Sequence, residues 1–267
     1  ILEKFYPEAE VAAGISKVAT EYVVSPHPAQ EPVPADVTGI IEQYFRRMTT
    51  DEHDLAWEGA VPLGSDKWSG KDPESPRAGD WQRWAVIGGA VIPRPPSIGS
   101  DEQKKDLEAV KESIKNRTDK DEGLVKLWHG NEGNVTADTQ WQDQLYEVIK
   151  SDLPDDKNKA DAQYATLQKY LAITIADSIL ESWRVKFTFW TPRPSMYDSA
   201  IMPLLPDPNY PAYPSALAAS SSAAAQVLTA LSPDHKAEWF ELAENAANSE
   251  RVSGSHMPAD VSAGREL

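Results

Sequence analysis

A chain of 267 residues with 40% hydrophobic and 25% charged residues buries a substantial core, as one domain or as two tightly joined halves, and is not a disordered polymer. Its formal net charge of −16 opposes nucleic acid and anionic membranes at long range, so any anion it binds must be held by a local cluster of cations. No apolar run reaches the ~18 residues of a bilayer span, and the absence of cysteine excludes disulfides and thiolate chemistry.

The chain reads as soluble, with localisation open between cytoplasmic and secreted. It starts at Ile1 without a methionine and stops at Leu267 in what reads as mid-helix, the pattern of a processed or trimmed form. Apolar positions at three- and four-residue spacing predict a first amphipathic helix over residues 36–48. Residues 54–99, with Trp57, Trp68, Trp81, Trp84 and many prolines and glycines, read as a long ordered loop wrapped over a bundle. Helices are predicted next over 101–117 and 137–151. Asn116-Arg117-Thr118 is an N-glycosylation triplet that matters only in a secreted chain. The acidic run DLPDDKNKAD, 152–161, resembles a metal-binding motif, but acidic residues at a helix start complement the helix dipole and explain it more simply. Three further helices are predicted over 156–188, 215–231 and 233–252. The whole reads as a single all-α domain over 1–267, with no internal repeat.

Three distant segments carry chemistry. In KFTFWTPRP, Lys186 and Arg193 stand seven apart at the end of a long helix whose exit is set by Pro192 and Pro194. By themselves they read as dipole complementation and solvation. In YPAYPSALAASSSAAA, Pro214 and Ser215 open a small-residue helix, where a hydroxyl and free amides can donate to an oxyanion at the positive end of the dipole; the plain alternative is a capped helix. In NSERVSGSHMPAD, His256 precedes Asp260 by four, a spacing at which the carboxylate can orient the ring, though a structural histidine fits equally. His27, His53, His129 and His235 read as surface or structural residues; His129 is the first to check, since its loop can border a pocket.

The order Lys-x6-Arg-Pro, then Pro-Ser, then Ser-x6-His-x3-Asp resembles the three-part signature of the vanadium haloperoxidase and type 2 phosphatidic acid phosphatase superfamily. GSDKWSG, AGDWQRW, LWHGNEGNVT and ADSILESWRVKFTFWTPRP look like its soluble haloperoxidase branch, so the similarity covers residues 60–267. The resemblance implies an all-α bundle with the site between helices. It also implies a lysine, two arginines, a serine and a glycine amide around a tetrahedral oxyanion, one histidine that binds vanadium or attacks phosphorus, and another that handles protons. Lys186, Arg193, Ser215, His256 and Asp260 match.

Three positions depart. The family's Pro-Ser-Gly-His is Pro214-Ser215-Ala216-Leu217 here, and in the ungapped register on His256 its Ser-Arg falls on Ser249-Glu250. Only a shifted register would give Arg251 the role of the lost arginine. Reversing a charge about 4 Å from an anion reverses an interaction of roughly 4 kcal/mol at an effective dielectric near 20. Three readings follow. In the leading one Lys186, Arg193 and Ser215 bind an organic prenyl diphosphate. Mg²⁺ then sits on Glu250, Ser249 or Asn245, while Leu217, Phe187, Phe189, Trp190 and Tyr213 wall a carbocation. In the second the chain is a vanadate-dependent haloperoxidase or acid phosphatase with Arg251 shifted into place. In the third it is an inactive descendant with Glu250 in an internal ion pair.

Overall fold

In a computed structural model of the chain, the described residues are Thr50, 55–85, 89–130 and 136–267. The chain divides into two compact units, Ile1–Thr50 and Asp51–Leu267, and all described residues but Thr50 belong to the second. The helix expected over 36–48, with His27 and His53, lies outside the described residues.

Among the described residues the structure is all helical. The helices are α1 (Asp101–Asn116), α2 (Asp119–His129), α3 (Ala137–Ile149), α4 (Lys157–Phe189), the single turn α5 (Pro194–Tyr197), α6 (Ala216–Leu231), α7 (Lys236–Ser253) and α8 (Pro258–Glu266). Side-chain caps set several starts: Ser100 accepts from Gln103, Thr118 forms a capping box with Asp121, and Asp156 accepts from Lys159, each satisfying an amide with no partner in its own helix. The acidic run at 152–161 is therefore a helix start. Helix α2 was not anticipated, because its 11 residues include three acids in the first turn and a glycine at Gly123, which mask a short apolar face.

Helix α6 lies at the centre, packed against α4, α7 and α8. Its run of alanines and serines lets neighbouring helix axes come close, since interaxial distance follows the size of the side chains at the contact. The main core joins it to Trp128 of α2, Trp141 and Leu145 of α3, Leu171 of α4 and Trp239 of α7. Inside this core the Trp141 indole N–H donates to Ser221 Oγ at 2.9 Å, so a buried polar pair is satisfied. Gly264 of α8 admits no side chain, since a Cβ there would lie 2.4 Å from the Ser215 carbonyl oxygen. Gly254 ends α7 at φ +88°, the left-handed conformation that releases the chain toward His256.

Residues 55–85 and 89–100 form the expected loop, broken only by a 3-10 turn at Ala78–Asp80. Two buried carboxylates of α4 hold it. Asp177 accepts from the Trp84 and Ala85 amides at 2.6 and 2.7 Å, and Glu181 accepts from the Ala90 amide at 2.8 Å and pairs with Arg83 and Arg184. Burial raises the Glu181 pKa, but Arg184 and Arg83 outweigh it and keep the carboxyl below its ordinary value. Glu181→Ala strands two guanidiniums and an amide around one cavity. With the arginines partly exposed, the expected loss is about 2–3 kcal/mol, seen as a lower melting temperature and faster proteolysis between Arg83 and Arg94. Wild-type proteolysis in the variant would show that the carboxylate does not anchor the loop.

Candidate active site

The three segments meet at the C-terminal end of α4. From there the chain leaves through Trp190, which is left-handed at φ 57°, and turns so that Arg193 faces the loop after α7. Arg193 is 1% exposed; its Nε donates to the Tyr210 carbonyl at 3.3 Å and its Nη1 to the Ser255 carbonyl at 3.2 Å, and Nη1 lies 2.9 Å from His256 Nε2. Its Nη2 is buried with no hydrogen-bond partner. The Asp260 carboxylate accepts from the Met257 amide at 2.8 Å and sits 3.2 Å from His256 Nδ1, which directs the other ring nitrogen into the site. The Asp260 carbonyl also accepts from the Ser215 amide at 2.9 Å, tying the second segment to the third. Arg193, His256 and Asp260 are thus brought together in one chain of contacts.

Lys186 is engaged elsewhere. Its ammonium is fully buried and donates to the carbonyls of Pro211, Ala212 and Pro214 at 3.1, 2.7 and 2.6 Å, using all three of its N–H groups. Burial, then the Arg193 charge, push its pKa well below the ordinary lysine value, and the Asp260 and Glu250 charges oppose them. The expected anion ligand is instead a clip on the chain that enters α6. Ser215 is likewise the N-cap of α6, its Oγ accepting from the Ala218 amide at 3.1 Å. Leu217 belongs to the main core with Trp128 and Trp141, where an alkyl group suits the packing.

The aromatic wall is also placed differently. Phe187 meets Trp190 edge-on at 4.9 Å, and Trp190 packs on Trp57 and Trp68 at 5.9 and 6.1 Å. Phe189 meets Tyr213 at 5.8 Å within a cluster that includes Val185 and Ala263. Tyr213 further donates to the Pro93 carbonyl. These rings fasten the long loop and α8. The ring beneath the cations is Tyr210, 5.3 Å from Lys186 Nζ and 5.1 Å from the Arg193 guanidinium carbon, itself packed on Trp183 at 4.8 Å. Neither ring was singled out from sequence, because nothing in helical periodicity marks which aromatic underlies a cation.

Glu250 decides the electrostatics. It is 4% exposed, with Oε2 3.0 Å from His256 Nε2 and Oε1 3.5 Å from His129 Nε2. Burial raises its pKa, but His256, His129 and Arg193 overcome this and hold it at about 2. His129, on α2, is drawn into the site as its flanking loop suggested, and its pKa is lowered by burial against the pull of Glu250. His256 Nε2 cannot accept from Arg193 and donate to Glu250 at once; guanidinium and carboxylate compete for one ring atom. Arg251, expected in a shifted register, turns to Glu244 and Asn248, one helical step around α7 from the site. Ser249 Oγ donates back to the Ala246 carbonyl at 2.7 Å, and Asn245 is partly buried on the same helix. Among the described residues no group of three or more His, Asp or Glu side chains is arranged to hold a metal ion; of the expected magnesium set Glu250 faces the site, and Ser249 Oγ also lies 3.4 Å from His129 Nε2.

No family model and no curated protein matches the chain. Solved structures do. A holo-type bacterial vanadium-dependent chloroperoxidase aligns over 99% of this chain and 76% of its own, with TM-score 0.72 and 11% identity. The first bacterial vanadium-dependent iodoperoxidase aligns over 78% and 59%, with TM-score 0.62 and 18% identity. An apo-type bacterial vanadium-dependent chloroperoxidase aligns over 72% and 53%, with TM-score 0.58 and 12% identity.

The chain has the vanadium haloperoxidase fold.

It spans little more than half the length of the iodoperoxidase and of the apo chloroperoxidase it matches, and identities this low carry architecture rather than activity. Within this haloperoxidase fold, the residues expected around vanadate are brought together only in part. Arg193 and His256 would suit it, but Lys186 faces backbone carbonyls, Arg251 faces Glu244, and a carboxylate stands against the His256 Nε2. An oxyanion there gains one guanidinium and meets one like charge. Among the described residues no helix is long and apolar enough to cross a membrane.

Proposed function

We propose that this haloperoxidase-fold chain is an enzyme acting on an organic diphosphate, a prenyl diphosphate in the first instance; Glu250 would hold a divalent cation such as Mg²⁺, which would supply charge neutralisation for the leaving group. The observation that carries the reading is the buried Glu250 carboxylate 3.0 Å from His256 Nε2, in a corner where the buried Arg193 guanidinium bonds the same ring nitrogen. A corner that presents one cation and one anion accepts a polyanion best when a metal bridges the like charges. Arg193 Nη2 would take a diphosphate oxygen. The carbon–oxygen bond breaks with its electron pair on the diphosphate, so the leaving group needs no proton, in keeping with Leu217 in the core. The carbocation would then lose a proton to the released diphosphate, an oxyanion base held at the same corner by Arg193, while Asp260 and Glu250 keep the His256 ring in place. Trp183 and Tyr210 are the rings nearest the cations, and they replace the aromatic wall first expected.

The test is incubation with geranyl, farnesyl and geranylgeranyl diphosphates, with and without Mg²⁺, scoring hydrocarbon and released diphosphate. Turnover that needs Mg²⁺ and falls about 10²–10³-fold in Arg193→Gln supports the reading; none with any prenyl diphosphate ends it. A second reading, an inactive descendant, is favoured by the pairing of Glu250 with both imidazoles, and predicts no turnover together with unchanged ligand-free stability in Asn245→Ala.

A further inference from the structure

Two imidazoles from separate elements lie against one buried carboxylate, and a guanidinium from a third, bonded to one of those imidazoles, adds its charge nearby. Arg193 comes from the exit of α4, His256 from the turn between α7 and α8, and His129 from the end of α2. Glu250 is the anion they share, 3.0 Å from one imidazole and 3.5 Å from the other. A buried anion ringed by such groups is what a bound oxyanion looks like, except that this one is part of the chain. It has no competing cation of its own on α7, since Arg251 is engaged by Glu244 and Asn248. The guanidinium is not saturated either, as Nη2 remains without a partner.

We infer that Glu250 is a built-in occupant of the oxyanion seat, a specificity residue that keeps free vanadate and inorganic phosphate off the Arg193–His256 corner. A tethered carboxylate is present at high effective concentration and carries no translational cost of association, so it excludes a monoanion from solution without a high intrinsic affinity. It also repels a second anion at contact distance in a partly dry site. The same residue that excludes a lone oxyanion admits one that brings its own divalent cation. The inference thereby deepens the diphosphate reading without needing turnover to be tested.

The test is calorimetric titration of orthovanadate, and separately of inorganic phosphate, into the full chain at neutral pH in Mg²⁺-free buffer, for wild type, Glu250→Gln and Glu250→Ala. Wild type is expected to give no saturable heat. Glu250→Gln, which keeps the shape and removes the charge, and Glu250→Ala, which vacates the seat, are both expected to bind one equivalent at least about tenfold more tightly than wild type. Added formate should compete with vanadate in Glu250→Ala, because a free carboxylate can retake the vacated place, and should not in Glu250→Gln. Should either variant fail to fold by circular dichroism, the other carries the comparison. Should both fail, wild type decides: saturable vanadate or phosphate binding, competed by no carboxylate, overturns the inference. Equal affinity in wild type and variants also overturns it. Failed prenyl diphosphate turnover would leave this result standing, and unaltered anion binding here would leave the turnover assay standing, so the two ideas fail separately.

Discussion

Lys186→Ala is expected to lower the melting temperature by roughly 10 °C, through a loss of about 3–5 kcal/mol in a unit of this size. The substitution strands the carbonyls of Pro211, Ala212 and Pro214, which now receive 3.1, 2.7 and 2.6 Å hydrogen bonds from one buried ammonium. Each buried acceptor without a donor costs about 1–3 kcal/mol, and a cavity adds to it. Replacing a buried ion pair by apolar groups can be neutral when both partners go, but here the carbonyls belong to the backbone and stay. Lys186→Met, which restores most of the volume, should therefore recover only the cavity part. Thermal melts of both variants check this. Wild-type stability in Lys186→Ala, with prenyl diphosphate binding in the presence of Mg²⁺ lost, would return the residue to the anion-ligand role and reverse the assignment as a clip.

Glu250→Gln is expected to change how stability depends on acid. The folded carboxyl is held at about 2 against an ordinary value of 4.5, so the ionised form is the one the fold favours. A group with a depressed folded pKa contributes stability that is fully present above its unfolded value and is lost as pH falls through the folded one. The difference corresponds to about 3 kcal/mol at neutral pH. In denaturant titrations, the gap between wild type and Glu250→Gln should close progressively as pH falls from 4.5 to about 2. A gap that ignores pH over that window would mean that His256, His129 and Arg193 do not hold the carboxylate as the geometry has them.

Local rules carried most of the helices. The spans expected at 101–117, 156–188 and 215–231 appear as Asp101–Asn116, Lys157–Phe189 and Ala216–Leu231, because apolar spacing and caps are read within one or two turns. The span expected at 137–151 ends two residues early, at Ile149, and the one at 233–252 begins as the 3-10 turn Pro233–His235 before α7, since chain ends are set by the caps and the proline. Helix α2 was missed, its polar first turn outweighing Val125 and Trp128, whose burial comes from α3 and α7. The long loop was read correctly as ordered. What orders it, the carboxylates of Asp177 and Glu181, was not, because an acid inside a helix reads as solvated until a partner 90 residues away is known.

In the site, the order of residues carries a resemblance to the haloperoxidase signature, and it is that resemblance which implies that Arg193, His256 and Asp260 meet and that Glu250 and Leu217 depart from the pattern; spacing by itself pairs only His256 with Asp260. Only the tertiary structure decided where each polar group points. Lys186 and Ser215 could serve an anion or the backbone with the same residue types, and the loop carrying Pro211–Pro214 took the first while the start of α6 took the second. Likewise the partners of Glu250 come from α2, which packs directly on α7, and from the turn after α7. A side chain's direction is a competition among neighbours brought in by the fold, and a sequence holds the competitors without the distances that choose between them.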